Sequence, residues 1–402
     1  MDDLTIAAAA GQDSGATPVE APAPTSTIVG FAVSRTAVAI LIRFPYTFLT
    51  AISAGLGLSI AGTTNLLGLR ELPGLATPFV GRFVDRGHTR STMAVGFTCA
   101  TVGCWVVATG WLPIVVVAMF LSGIGGYAIA TSQNAWIGHR VPFARRGRAI
   151  GLVELSWAIA FLVGGPACAW LIDHHGWRSS FWVVGAAIAI SGGVTVSQLG
   201  PDVVEPRDAE ALEGSWARAF SRKTAGLYIY AGMQPFAQII VFAVYGDWLS
   251  TRFGMSTALI GTVTVFIGVG EFVGTGASSA ISDRLGKRRC TVGGAALAAP
   301  MALVLGVVGT HQVLGVAAMV VFAIGLEFSF VSALPLMTEM DPEARGLTLG
   351  IAFAIVTVGR TIGSSLSGLI YEHLGMWVCG IIACGALIVG GTAVQLGARH
   401  HR

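Results

Sequence analysis

Seven charged side chains, Arg43, Arg70, Glu71, Glu154, Glu271, Glu327 and Arg360, stand inside stretches that are otherwise almost free of charge. Arg35 opens the first of these stretches and Asp247 closes another. A guanidinium presents a fixed fork to carboxylates and oxyanions. A carboxylate that is buried has a raised pKa and one beside an arginine a lowered pKa, so a set holding both can carry a proton through the working range. The chemistry on offer is anion recognition and proton exchange. Histidine does not compete for the second role, because His88, His139, His174, His175, His311, His373, His400 and His401 all fall in loops or at the ends of apolar stretches. Glu71, Glu271 and Glu327 lie nearest the middle of theirs and are the proton-coupling candidates; Glu154 lies nearer an end.

Uncharged polar residues accompany the charges at helical spacing. Thr357, Arg360, Thr361 and Ser364 follow i, i+3, i+4, i+7, and Tyr230, Gln234 and Gln238 follow i, i+4, i+8. Arg43, Thr47 and Thr50 make a third stripe, and Tyr127, Thr131 and Asn134 a fourth. One wet face on each of several helices implies a shared cavity, with Arg43, Tyr127, Asn134, Tyr230, Gln234, Gln238, Glu327 and Arg360 as its substrate-binding candidates. No His-Glu-x-x-His, phosphate loop or Gly-x-Ser-x-Gly turn occurs, and the reading is of a non-enzyme without cofactor. The adjacent His174 and His175 lack a third ligand, so no metal site is expected. All six cysteines lie in or at the ends of apolar runs without a Cys-x-x-Cys pair and read as small buried hydrophobes.

The elements that must hold these groups follow from composition. A chain that is 54% hydrophobic and 11% charged, with mean hydropathy +0.74, is dissolved in lipid. Its net charge of +3 is spread over loops, which argues against nucleic acid. Twelve apolar runs long enough to cross a bilayer fall near 31–54, 60–82, 91–110, 113–138, 148–171, 178–199, 224–246, 257–281, 290–309, 313–337, 346–369 and 376–397. Eighteen Lys and Arg lie in the even-numbered loops and the C-terminus, and two, Arg178 and Arg252, in the odd-numbered ones. The basic side stays cytoplasmic, so both termini are expected there, in a multi-pass protein of the cell membrane. Residues 1–28 read as a disordered tail, 29–199 as one six-helix bundle, 200–223 as a polar cytoplasmic linker, 224–397 as a second bundle and 398–402 as a tail. Within the linker, Ala209 to Phe220 has the pattern of a short amphipathic helix.

The two bundles repeat one another. Asp85-Arg86 recurs as Asp283-Arg284, 198 residues on. Arg146-Gly147-Arg148 lines up with Arg345-Gly346-Leu347, and His175-Gly176-Trp177 with Leu374-Gly375-Met376, both 199 residues on. The first pair resembles the loop signature of the major facilitator superfamily, Gly-x-x-x-Asp-Arg-x-Gly-Arg-Arg. The second copy holds Asp283, Arg284, Gly286, Lys287 and Arg288 in register, with Ser279 for the leading Gly. The first copy holds Gly81, Asp85 and Arg86, with the later Gly one residue early at Gly87. The resemblance spans residues 31–397 and implies an all-α fold of twelve transmembrane helices in two pseudo-symmetric six-helix bundles. Helices 1, 4, 7 and 10 would line the cavity and helices 2, 5, 8 and 11 the interface between halves.

It also implies that Gly81, Asp85, Arg86, Asp283, Arg284 and Gly286 form a cytoplasmic gate, latched in one state and open in the other. Pro45, Pro73, Pro78, Pro166, Pro235, Pro300 and Pro335 supply bends, and Gly270/Gly274 and Gly359/Gly363 supply close helix contacts. Gly165-Pro166 resembles the core of the exporter signature Gly-Pro-x-x-Gly-Gly, although Ala169-Trp170 ends it here and Met119 stands where exporters carry an arginine. The expectation is a monomeric secondary transporter that moves a small organic molecule by alternating access, as a proton-coupled antiporter for efflux. The alternative is proton-coupled uptake of a small organic or inorganic anion, which gives more weight to the three deep arginines. Its partners would be substrate, protons and lipid.

Overall fold

The computed structural model describes residues 25–202, 222–308, 311–338 and 345–397. The expected tails (residues 1–24 and 398–402) and most of the expected linker, with its amphipathic segment, lie outside the described residues. Those described are helical, with no strand among them. We number the membrane-long segments α1 (25–56), α2 (60–85), α3 (Thr89–Val107), α4 (Leu112–Arg140), α5 (143–175), α6 (Trp177–Ser197), α7 (222–253), α8 (Thr257–Leu285), α9 (Lys287–Val307), α10 (Gln312–Thr338), α11 (345–374) and α12 (376–397). Two boundaries differ from the sequence reading. α1 begins at Thr25, inside the stretch assigned to the tail, and α7 begins at Arg222, inside the stretch assigned to the linker.

The repeat is visible in the backbone as well as in the residues. Gly176 and Gly375 turn α5 into α6 and α11 into α12 at φ 77° and 78°, and Gly87 and Gly286 end α2 and α8 at φ 94° and 91°. Only glycine enters this region without a Cβ clash. Gly87, one residue early in the sequence motif, therefore occupies the same structural place as Gly286.

Several expected bends are present. Around Pro73 the second helix tightens into a 3₁₀ turn, Leu72–Ala76, and just before Pro166 the fifth widens into a π turn, Ala160–Gly164. Each redirects backbone hydrogen bonds that a proline cannot complete. The first helix breaks at Phe48, three residues after Pro45.

Three seams join the halves: α1 with α7, α2 with α11, and α5 with α8. The last two are related by the repeat. Ser364 donates to the Thr64 carbonyl across α2–α11 at 3.0 Å, and Thr264 donates to the Phe161 carbonyl across α5–α8 at 3.1 Å. In the first seam Thr47 meets the Tyr245 hydroxyl at 2.6 Å, and their separation of 198 residues is the repeat itself. A contact between equivalent residues lies on the pseudo-twofold axis. Gly246 lets the chains cross there, because a Cβ on it would collide with the Thr47 carbonyl. Thr50 donating to Asp247 at 2.8 Å, and the Ala61 amide donating to Glu372 at 3.1 Å, close the same side of the molecule.

On the opposite, basic side the first half carries a cap of its own. Asp202, just after α6, accepts from the Arg90 amide at 2.7 Å and the Ser91 amide at 3.0 Å, which caps α3 within its own half. Burial opposes ionisation of Asp202, but these hydrogen bonds from Ser91 and Arg90, with His88 nearby, hold its carboxyl below the usual range.

Candidate functional site

Glu71 is the hub of the first charged cluster. It ends the α-helical part of α2, where the 3₁₀ turn begins, and is buried. Arg360 of α11 reaches it from the other half with a two-point contact, Nε to Oε2 at 3.0 Å and Nη2 to Oε1 at 3.4 Å. Tyr127 of α4 donates to Oε2 at 2.9 Å, and Arg70 lies 3.5 Å from Oε1. Arg70 is chiefly satisfied elsewhere, donating to the carbonyls of Leu41 and Ile42 at 3.1 and 2.9 Å. Two guanidiniums thus share one carboxylate. That arrangement leaves a positive surplus in a region where an unpaired charge costs about 2.5–3.5 kcal/mol even on insertion scales.

The second cluster also crosses between halves. Arg43 of α1 donates to Glu271 of α8 at 2.8 Å, and its guanidinium lies 4.0 Å from the ring centre of Phe161 and 5.0 Å from that of Trp157, both on α5. A cation over an aromatic face is favoured electrostatically. The pairing is monodentate: Arg43 Nε and Glu271 Oε2 are buried without a hydrogen-bond partner.

The repeat explains why this cluster is built differently from the first. Glu71 and Glu271 are near-equivalents, 200 residues apart, but the counterpart of Arg360 at the repeat spacing is Phe161. Having no cation at that position of α5, Glu271 takes one from α1, held in place by that phenylalanine.

Glu327 lies beside this pair. A Cβ on Gly274, one turn beyond Glu271, would sit 3.0 Å from the Glu327 Cβ, so α8 and α10 touch there. Glu327 is half-buried and, among the described residues, forms no hydrogen bond or ion pair. Of the three glutamates singled out from the sequence it is the one with no cation at ion-pair distance among the described residues. Nearer the basic side Arg35 faces Glu154 at 3.9 Å, a looser pair than the other two.

The remaining candidates are distributed unevenly. Tyr230 is buried in the seam with α10, where it meets Ser329 at 2.7 Å, and the Gln234 amide approaches the Leu326 carbonyl at 3.5 Å. Gln238 is half-buried and Asn134 exposed. Thr47, Thr50 and Ser364 carry the polar stripes of α1 and α11 into the seams between halves, as described above. Gly270, Gly274, Gly359 and Gly363 all sit in close helix contacts. At the basic side Asp85 is exposed and lies 3.7 Å from His139 of α4, in its own half. Arg86, Asp283, Arg284 and Gly286 are exposed as well, and Gly81 is half-buried. Sequence reasoning did not single out Trp157, Phe161, Ser364 as a seam donor, or the Thr47–Tyr245 contact. The last was findable, since the two residues stand one repeat apart.

Comparison with known proteins agrees with this architecture. The sequence profile of the Major Facilitator Superfamily matches residues 27–246 and 227–398. Among similar relatives, the cis,cis-muconate transport protein of Acinetobacter baylyi is 24% identical over 368 residues, covering 86% of this chain and 85% of that one. The uncharacterized MFS-type transporter YwfA of Bacillus subtilis is 23% identical over 283 residues, 69% of this chain and 68% of that one. The chromaffin granule amine transporter of Rattus norvegicus is 26% identical over 327 residues, 77% of this chain and 60% of that one. A solved structure of a POT family transporter in complex with 5-aminolevulinic acid superposes with a TM-score of 0.76 at 12% identity, covering 94% of this chain and 97% of that one. A bacterial homologue of the human lysosomal transporter Spinster, in an inward-facing and unoccupied conformation, gives 0.69 at 15%, covering 93% and 97%. With a profile match over nearly its whole length and this twelve-helix fold, the chain is a multi-pass membrane transporter and belongs to the Major Facilitator Superfamily.

Proposed function

We propose that this transporter moves a small organic molecule by proton-coupled alternating access, and that it exports. The observation that carries the coupling is Glu327, a carboxylate at membrane depth with no ion-pair partner among the described residues, next to an Arg43–Glu271 pair that is only half satisfied. A proton on Glu327 removes the surplus negative charge beside that pair, and its loss restores the competition of two carboxylates for Arg43. Because Arg43 and Glu271 belong to different halves, such competition acts on the contact between halves. Substrate is placed between the halves, against Arg43, Arg360, Tyr127 and Trp157. The gate is assigned to Asp85 and Asp283, with Arg86, Arg284, Gly81 and Gly286 around them. Export draws support from Gly165-Pro166, which sits at the end of the π turn, with Gly165 pressed against Thr264 of α8. We place the basic side in the cytoplasm and treat the chain as a working monomer.

A second reading has its own observation. Glu71 is shared by two arginines, and the positive surplus there suits uptake of a small organic anion by proton symport. The cis,cis-muconate relative, which matches over most of both chains, points the same way. Proteoliposomes under an imposed pH gradient separate the two, because antiport and symport move substrate in opposite directions relative to the proton. Transport that ignores the gradient, with Glu327→Gln as active as the parent, would overturn both.

A further inference from the structure

The turn from α8 to α9 borders an open cavity of about 650 Å³ whose lining includes Asp283, Leu285, Lys287, Arg288, Arg289 and Gln395. Three successive basic residues line one wall, and the Nε of Arg288 is buried there without a hydrogen-bond partner. We propose that this cavity binds the phosphodiester headgroup of an anionic glycerophospholipid.

Comparison with the first half supplies an independent reason. There the matching helix end, at Arg90 and Ser91 of α3, is closed by the carboxylate of Asp202, one oxygen to each amide. The corresponding residues of α9, 198 positions on, are Arg288 and Arg289, and no side chain among the described residues caps their amides. The second half has the cavity, Lys287 and Arg289 in place of Thr89 and Ser91, and an unpaired guanidinium nitrogen where the first half has an internal anion. An oxyanion from outside completes the same arrangement, and the phosphate of a lipid brings it.

Two features favour a lipid over free phosphate. Leu285 and Ile281 present exposed apolar surface on α8 beside the cavity, along which an acyl chain can run. Asp283 lines the same space; it repels a bare phosphate but accepts a hydrogen bond from the hydroxyls of a glycerol headgroup. The site lies on the basic side, and basic pockets on the cytoplasmic face of membrane proteins are recognised sites for acidic lipid headgroups. The inference requires only that the chain is embedded in a bilayer and is independent of what it carries or in which direction.

The test uses the full-length protein in nanodiscs of equal phosphatidylglycerol and phosphatidylcholine, released into native mass spectrometry. Wild-type protein is expected to retain phosphatidylglycerol preferentially, and Arg288→Gln and Arg289→Gln each to lower that retention on the order of five-fold, the double variant on the order of 25-fold. An unchanged melting temperature of the variants in pure phosphatidylcholine shows that their fold is intact. Equal retention of the two lipids by the wild type overturns the proposal whether or not the variants fold. So does a double variant that keeps the preference. Inorganic phosphate that stabilises the protein as well as phosphatidylglycerol does would make this an anion site without lipid, and overturns it too.

Discussion

Replacing Glu71 by glutamine is expected to cost more stability than replacing Arg360 by methionine, although the two residues form one ion pair. Breaking a buried pair by removing one partner costs about 3–5 kcal/mol, mostly from the charge left behind. Without Arg360, the Glu71 carboxylate keeps the Tyr127 hydroxyl at 2.9 Å and Arg70 at 3.5 Å, so the loss falls near the lower end, about 3 kcal/mol. Without the Glu71 charge, Arg360 has no carboxylate in reach, while Arg70 retains the carbonyls of Leu41 and Ile42. The stranded charge is then a guanidinium, and the loss falls near the upper end, about 5 kcal/mol. The double variant strands neither group and should lose less than either single variant, far short of their sum. Equilibrium unfolding in SDS from bicelles gives all four corners of the cycle. Single losses that add to the double within about 0.5 kcal/mol would show the residues to be energetically independent and refute the idea that this pair ties α2 to α11.

Three further outcomes are expected. Glu327→Gln should leave folding and insertion intact, because the carboxylate has no hydrogen bond or ion pair to lose among the described residues, yet abolish the dependence of transport on a pH gradient in proteoliposomes; a gradient response equal to the parent's would remove Glu327 from the coupling. Gly246→Ala puts a Cβ onto the Thr47 carbonyl and should disfavour the conformation closed on that side. Thiol labelling of a cysteine placed at Thr50 should speed up in this variant, and unchanged labelling would mean that the crossing tolerates the methyl. Asp202→Asn removes the charged cap of α3 and should cost about 0.5–1 kcal/mol at neutral pH, toward the low end for so exposed a cap. Because the folded-state pKa of Asp202 is depressed, its contribution is present above the unfolded value of about 3.9 and disappears as pH falls through the folded value. The difference between variant and parent should therefore vanish in acid; a gap that persists there would assign the effect to packing.

Composition and spacing were enough to place the chain in a bilayer, to count twelve spans and to pair the two halves. Each of these depends on a sum or a period along the chain. The hydrophobic runs need only length, and the repeat needs only matched offsets such as Asp85 with Asp283. The presence of ionic groups at depth was legible for the same reason, since Arg43 or Glu327 is conspicuous against an apolar run.

Which charge meets which was decided by tertiary structure. Arg43 pairs with Glu271 across 228 residues, and Glu71 with Arg360 across 289, while Glu327, of the same residue type, has no ion-pair partner among the described residues. Helices that are apolar on nearly every side carry no amphipathic signal to fix their rotation, so the facing of a stripe such as Tyr230, Gln234 and Gln238 had no reading before the neighbours were in place. The substitution of Phe161 for a second Arg360 became meaningful only when α5 and α11 were seen to occupy equivalent seams. A linear sequence records which groups are available; the packing of helices from two halves sets the distances over which a few kilocalories of pairing energy are gained or lost.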